Sequence, residues 1–486
     1  MLLKQLHFIK TNQMKNIYTL IISLFFTANI QAQPFFLDTS FNLNYNFYLT
    51  GSQATVYGLN YEPDGKLMIY GAFHDNYSNP SDMLRIYEDG NLDNTWQYPY
   101  DMGVSFVKLL NNKYISLTLN TLAKFTYEGQ WTDTAWQNNT FRGNICHDFF
   151  KPYIFSDGSM LVGTDSICLS VSDKKRWFMR FLPDGNADTN FKHSTNGLAF
   201  GIVKYSSDKL LVYGSGMLGF TKYDNIPAIR LCRIDTAGNL DTTFHSIFIG
   251  GNPRPLYVQN DGKIIVGDFF NIINYPTTLF IVRLNADGSL DSTFNNFNSA
   301  INNYGGILAS CPTTDGGYLI GGSFNQYQGY NRNNIVKTDA NGYIDTAYFN
   351  GQGINSTFQA GNTPYVGGIV KGTNDTYYVM GYFTHYNGVH VNPIIRIHGL
   401  SVGINEVKKE NVKVYPNPAT NSITFNTGMF KDFKLRIFNA IGQTVLQKHL
   451  TTSNTTLNIQ NFKQGMYYYT LINNKGKVIS GKFVKE

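Results

Sequence analysis

Val282 to Phe294 read VRLNADGSLDSTF, and this stretch decides the fold. A short apolar-alternating run ends at Asp287-Gly288, a polar step follows, and Asp291 stands three residues before Phe294. Asp-Gly between two extended runs is tight-hairpin chemistry, because such a turn needs positive φ and glycine supplies it without steric cost. Outward in both directions the same order recurs. It reads LRIYEDGNLDNTW (Leu84 to Trp96), AKFTYEGQWTDTAW (Ala123 to Trp136), MRFLPDGNADTNF (Met179 to Phe191), CRIDTAGNLDTTF (Cys232 to Phe244) and VKTDANGYIDTAY (Val336 to Tyr348). A partial copy, LDTSF, lies at Leu37 to Phe41.

The anchor aspartates Asp38, Asp93, Asp133, Asp188, Asp241, Asp291 and Asp345 are spaced 55, 40, 55, 53, 50 and 54 residues apart. A period near fifty without helical periodicity predicts propeller blades rather than a helical solenoid. A second signature precedes the first: a turn, then a buried-type apolar run ending at glycine, as in EPDGKLMIYGAF (Gly71), FSDGSMLVG (Gly163), SSDKLLVYG (Gly214), QNDGKIIVGDF (Gly267), TTDGGYLIGGSF (Gly321) and TNDTYYVMGYF (Gly381). Such a run reads as a central strand, and its glycine as a place where backbones approach closely. The last repeat ends at Pro393 to Ile397 without an Asp-x-x-aromatic segment, and LDTSF is that missing piece. A ring in which the N-terminal segment completes the last blade leaves no open sheet edge. The expectation is an all-β chain with a seven-bladed β-propeller over 33–399, its second blade degenerate, and a small β-sandwich after it. These repeats resemble the delta-60 β-propeller repeat family, which implies a scaffold and no particular chemistry.

Composition agrees. There are 33 Tyr, 36 Phe and 45 Gly with only 15% charged residues, which favours strands joined by tight turns. The net charge of +6 is uneven: twelve Lys or Arg against four acids from Ile404 to Glu486, but twenty-four against twenty-nine from Gln33 to Gly403. A mildly acidic body carries no nucleic-acid footprint. Cys146, Cys168, Cys232 and Cys311 are scattered without metal spacing and read as small buried thiols, with Cys146 and Cys168 the pair that an oxidising compartment would join. Residues 1–32 read as an N-terminal extension and signal peptide: Lys15, an apolar run from Ile17 to Ala28, and Ala32 before the cut. The run is too short to span a bilayer, so no membrane span is expected after cleavage.

After a linker at 400–413, the residues 414–486 alternate apolar and polar and predict a small sandwich. They resemble the type A C-terminal sorting domain of type IX secretion. The resemblance rests on Tyr415-Pro416-Asn417-Pro418, the Asn439 to Gly442 turn, Gly465-Met466-Tyr467-Tyr468 and the closing Gly481-Lys482-Phe483. It implies that the secretion machinery reads Tyr415, Pro416, Asn417, Pro418, Gly442, Gly465, Tyr467, Gly481 and Lys482, and that the protein reaches the cell surface or the medium.

No catalytic motif, metal set or cofactor loop stands out. The Asp-Gly turns are hairpin turns rather than calcium loops, which need six to eight oxygens. The loops after the glycine-ended strands carry Tyr77, Tyr223, Tyr275, Tyr327, Tyr330 and Tyr386 among Asn and His. By register they gather on one face, where flat rings with polar tips suit a polysaccharide or a protein surface; packing between blades is the alternative for each ring. The reading is a secreted, non-catalytic binding propeller. A glycan-acting hydrolase or lyase with a site assembled from several blades is the second, and a structural element of an extracellular layer the third.

Overall fold

The computed structural model describes residues 34–486 except 48–53, 74–82, 97–104, 109–112, 118–121, 127–151, 168–175, 297–304, 357–362, 401–411, 428–432, 474–477 and the single positions 42, 44, 46 and 63. The expected signal peptide, Tyr77, Cys146, Cys168 and Asp133 lie outside them. The chain divides into two units, Met1–Ser401 and Val402–Glu486. Among the described residues there is no helix, and so none long and apolar enough to cross a membrane.

The first unit is a series of seven antiparallel blades. Each has an inner, a middle and an outer strand: Thr55–Tyr61, Leu67–Ala72 and Met83–Ile86 in blade 1; Ser105–Lys108, Lys113–Leu117 and Leu122–Thr126 in blade 2; Tyr153–Ile154, Met160–Ile167 and Arg176–Phe181 in blade 3. Blade 4 is Gly201–Lys204, Lys209–Tyr213 and Leu231–Asp235; blade 5 is Arg254–Val258, Ile264–Ile272 and Leu279–Leu284. Blade 6 is Ile307–Pro312, Tyr318–Gly322 and Ile335–Thr338, and blade 7 is Tyr365–Lys371, Thr376–Tyr382 and Ile394–His398. Blade 2, degenerate in sequence, keeps all three strands.

In blades 1, 3, 4, 5 and 6 a short fourth segment past the glycine turn that follows the outer strand bridges back to it, as in Ile86↔Leu92, Ile234↔Leu240 and Leu284↔Leu290. Blade 7 takes this segment from the other end of the chain. Leu37 bridges Ile397, Asp38 N–H donates to the Arg396 carbonyl at 2.9 Å, and Phe35 N–H and His398 N–H donate to the His398 and Phe36 carbonyls at 3.0 Å each. Blade 7 also packs on blade 1, so the ring closes.

The core is a set of wedges between consecutive blades. Leu161 and Phe178 of blade 3 meet Ile202 and Leu210 of blade 4; Leu211 and Leu231 meet Ile264 and Val266 of blade 5; Tyr378 and Met380 of blade 7 meet Val56 and Leu67 of blade 1. The glycines ending the middle strands let these wedges taper. A Cβ on Gly71 would stand 2.1 Å from the Thr55 carbonyl oxygen, and one on Gly163 would stand 1.9 Å from that of Ala199. No side chain fits there.

The second unit holds two antiparallel sheets. One orders Lys413–Tyr415, Ser422–Asn426 and Asn454–Asn458; the other orders Thr444–Leu450, Phe433–Phe438, Gly465–Asn473 and Val478–Lys485. Their alternating apolar residues, among them Ile423, Phe425, Leu435, Ile437, Leu457 and Phe483, form a core made only from this unit.

Candidate functional site

The strand directions give the ring two unlike ends. The Asp-Gly turns stand at one end. The other carries the starts of the inner strands and the loops from middle to outer strand.

At the turn end the repeated aspartates knit the blades together. Asp291 accepts from Arg283 Nε at 2.6 Å, Lys263 Nζ at 2.8 Å, Thr293 N–H at 2.9 Å and Thr293 Oγ1 at 2.7 Å. Arg283 then donates to the Ala340 carbonyl in the turn of blade 6 at 2.8 Å and lies 4.9 Å from the Phe294 ring centre. Arg396 does the same between blades 7 and 1, bonding Asp38 at 2.7 Å and the Glu88 carbonyl at 2.6 Å. Arg85 with Asp93 and Arg233 with Asp241 repeat the ion pair. Burial alone would raise these carboxyls. Hydrogen bonds from Thr95 and Lys66 on Asp93, from Lys209, Thr243 and Arg233 on Asp241, and from Lys263, Thr293 and Arg283 on Asp291 hold them well below the usual carboxylate range instead. These carboxylates are engaged in holding the ring. The arginine or lysine lies eight residues before the aspartate in five of the quoted repeats, a spacing visible in the sequence but not read from it.

At the loop end the tyrosines separate into two groups. Tyr223, Tyr327 and Tyr386 are buried, and their hydroxyls donate to the Gly238, Gly342 and Phe35 carbonyls. They pack the blades and offer no ring to a ligand. Tyr275 and Tyr330 are exposed, at 39% and 48%. Ten of the fourteen exposed large apolar side chains described in the ring lie at this end, including Met217, Leu218, Ile249 and Ile273.

At the axial starts of the inner strands a second group gathers, which sequence reasoning missed. Arg254 of blade 5 stands 3.8 Å from the Asp268 carboxylate and 5.6 Å from the ring centre of Phe200 in blade 4. Burial pushes the Asp268 carboxyl up to about 6, with Arg254 opposing. Tyr365 of blade 7 stacks on Tyr382, and Tyr57, 44% exposed, sits at an irregularity in the inner strand of blade 1. Among the described residues no three His, Cys, Asp or Glu are grouped to hold a metal ion. Cys232 and Cys311 are free and buried.

In the second unit the sorting residues meet in two places. Asn417 accepts from Val484 N–H at 2.9 Å and Ala419 bridges Lys485, so the Tyr415 to Pro418 segment lies along the closing Gly481-Lys482-Phe483 strand. Gly481 has no room for a side chain, since a Cβ would stand 2.3 Å from the Tyr469 hydroxyl. Asn439 to Ile441 of the turn and the Gly465 to Tyr467 stretch line one groove of about 720 Å³. Gly442 makes that turn at φ 81°, and Tyr467 stacks on Phe483. Lys482 and Tyr415 are exposed.

Comparison with known families agrees with both units. Residues 413–486 match the secretion system C-terminal sorting domain, and residues 62–95, 219–244, 259–294 and 313–348 match a β-propeller family described as a domain of unknown function, DUF5122. No curated protein matches. Among solved structures, PorZ, an essential bacterial surface component of the type IX secretion system of Porphyromonas gingivalis, is 12% identical with a TM-score of 0.38, over 90% of this chain and 61% of that one. The extracellular domain of a two-component system from B. thetaiotaomicron is 10% identical with a TM-score of 0.42, over 91% and 58%. The chain thus spans about three fifths of the length of these structures. It is a β-propeller carrying a type IX sorting domain, which addresses it to the cell surface or the extracellular space.

Proposed function

We propose that the ring is a non-catalytic binding protein of the cell surface or medium, holding a glycan or a protein on its loop end. The supporting observation is the concentration of exposed apolar and aromatic side chains there, while the turn end is occupied by its own ion pairs. Exposed apolar side chains gathered on one end of a secreted protein suit an interaction surface. Incubating the secreted protein with bacterial, algal and host polysaccharides and with surface-protein extracts, followed by mass spectrometry of bound material and released sugar, tests it. Retention without product supports the reading; release of product overturns it.

One observation favours a second reading, a hydrolase or lyase. Asp268 is a buried carboxyl raised to about 6, a range suited to general acid work near neutral pH. Product release lost in Asp268→Asn would establish it.

A further inference from the structure

Blade 5 departs from its own repeat at two positions, and both departures carry charge. Arg254 pairs across the sheet with Gly267; the residues pairing with the corresponding glycines Gly71, Gly321 and Gly381 are Val56, Ala309 and Val366. Asp268 follows its glycine where the other glycine-ended strands place Ala72, Thr164, Ser215, Gly322 and Tyr382. The repeats serve as internal controls: the fold needs neither charge here. Asp268 is buried while the Arg254 side chain is 30% exposed; burying a charge is costly unless it is paired and hydrogen-bonded, and this pairing is loose. At 3.8 Å the two groups are beyond hydrogen-bond distance, and Arg254 Nε is buried without a hydrogen-bond partner. Arg233, Arg283 and Arg396, by contrast, place their donors on carboxylates, hydroxyls and carbonyls. Asp268 is also held at φ 84°, which a residue with a side chain rarely adopts.

The two positions lie at the axial end of the ring where the inner strands begin, with the Arg254 side chain 30% exposed and Asp268 buried beside it. Arg254 and Tyr365 begin the inner strands of blades 5 and 7, and Tyr57, 44% exposed, lies near the start of that of blade 1. One under-coordinated guanidinium, one carboxyl and tyrosines from two further blades therefore stand at the same mouth of the ring.

We propose that this mouth binds an anionic glycan, a chain bearing uronate or sulfate groups. Arg254 holds the acidic group, Asp268 accepts a sugar hydroxyl, and Tyr57 stacks on a sugar ring. A guanidinium with free donors is matched by a bidentate oxyanion, and a neutral sugar would leave those donors unpaired. This inference rests on the binding reading above and narrows its ligand.

The test titrates the full-length secreted protein with polygalacturonate, dextran sulfate and neutral dextran. Binding of at least one anionic chain and not of dextran is expected, and the preferred one identifies carboxylate or sulfate as the group held. Arg254→Gln is expected to weaken that binding by about tenfold or more, with Arg254→Lys recovering part of it. Tyr57→Ala is expected to weaken it severalfold without shifting the unfolding temperature; it decides the question should Arg254→Gln fail to fold. Equal binding of dextran, or anionic binding that neither variant alters, overturns the mouth and leaves the loop end as a binding surface. Capture of a protein with no glycan bound overturns the inference alone, and no capture from any panel overturns both.

Discussion

The carboxyl of Asp268 is raised by its surroundings while those of Asp93, Asp241 and Asp291 are lowered, so acid acts on the ring in two opposite directions. For Asp268 the folded value of about 6 lies above the ordinary 3.8, so the folded chain binds the extra proton. Its contribution to stability is complete below 3.8 and lost as pH rises through 6. The paired aspartates contribute above the ordinary carboxylate range and lose that contribution as pH falls through their depressed values. Asp268→Asn removes only the first effect, and asparagine tolerates positive φ. The variant is expected to exceed the parent in stability at pH 7.5, by at most about 3 kcal/mol, and the gap to close towards pH 5. Urea midpoints of the two proteins that stay parallel across this window would show that Asp268 carries no such load. At the other end of the ring, Asp291→Ala leaves Arg283 buried without its carboxylate and is expected to cost about 3–5 kcal/mol. Asp188→Ala, whose carboxylate is 3.9 Å from Arg180 Nε in a wetter place, is expected to cost about 1 kcal/mol or less. Thermal unfolding of the two variants side by side checks the contrast.

An isolated blade is a sheet of three strands with a fourth added after the turn, and blade 7 obtains its fourth from residues that precede blade 1. That arrangement was legible in the sequence because the last repeat, ending at Ile397, lacks an Asp-x-x-aromatic segment and LDTSF at Leu37 to Phe41 is a partial copy that supplies it. Removing 34–41 is expected to take away the Leu37 bridge, the Asp38–Arg396 pair and the Phe35 ring against Phe349 together. The ring should then unfold well below the parent temperature and expose the outer edge of blade 7. A synthetic peptide of those residues is expected to restore the transition, and an unchanged transition without it would place the closure elsewhere. The hairpins and the glycine-ended strands were legible for the same reason: each is set by a few adjacent residues. The site was less so. Loop composition placed Tyr327 and Tyr330 together, and they pair directly across a two-residue hairpin, yet the first is buried against the Gly342 carbonyl and the second stands in solvent, so packing against the blade and not the local pattern sets their exposure. Arg254 and Asp268 lie fourteen residues apart and face one another only because the blade 5 strands pair there, so no local pattern announced them.

The sorting unit has its own two sheets and its own core, drawn from Ala419 to Phe483, and among the described residues the ring's core clusters are built from ring residues alone. Charge divides the same way, with the basic excess in the tail and a mildly acidic ring. Folding and export are therefore expected to separate. Deleting 413–486 should leave the unfolding temperature of the purified ring unchanged, since the ring's described core clusters are built without those residues. It should also abolish delivery, because the residues that match the sorting family go with it. Cell fractionation with a label in the ring would then find the truncated chain retained in the cell, and the full chain at the surface or in the medium. A milder change bears on how the tail is read. Gly481→Val sets a branched side chain against the Tyr469 ring in the strand that also holds Asn417 and Ala419. It is expected to disorder the shared Tyr415 to Phe483 surface and reduce delivery, with the ring transition as before. Delivery at the parental level with that surface disrupted would mean that the machinery reads the tail elsewhere, and the groove between the Asn439 turn and Tyr467 would be the place to substitute next.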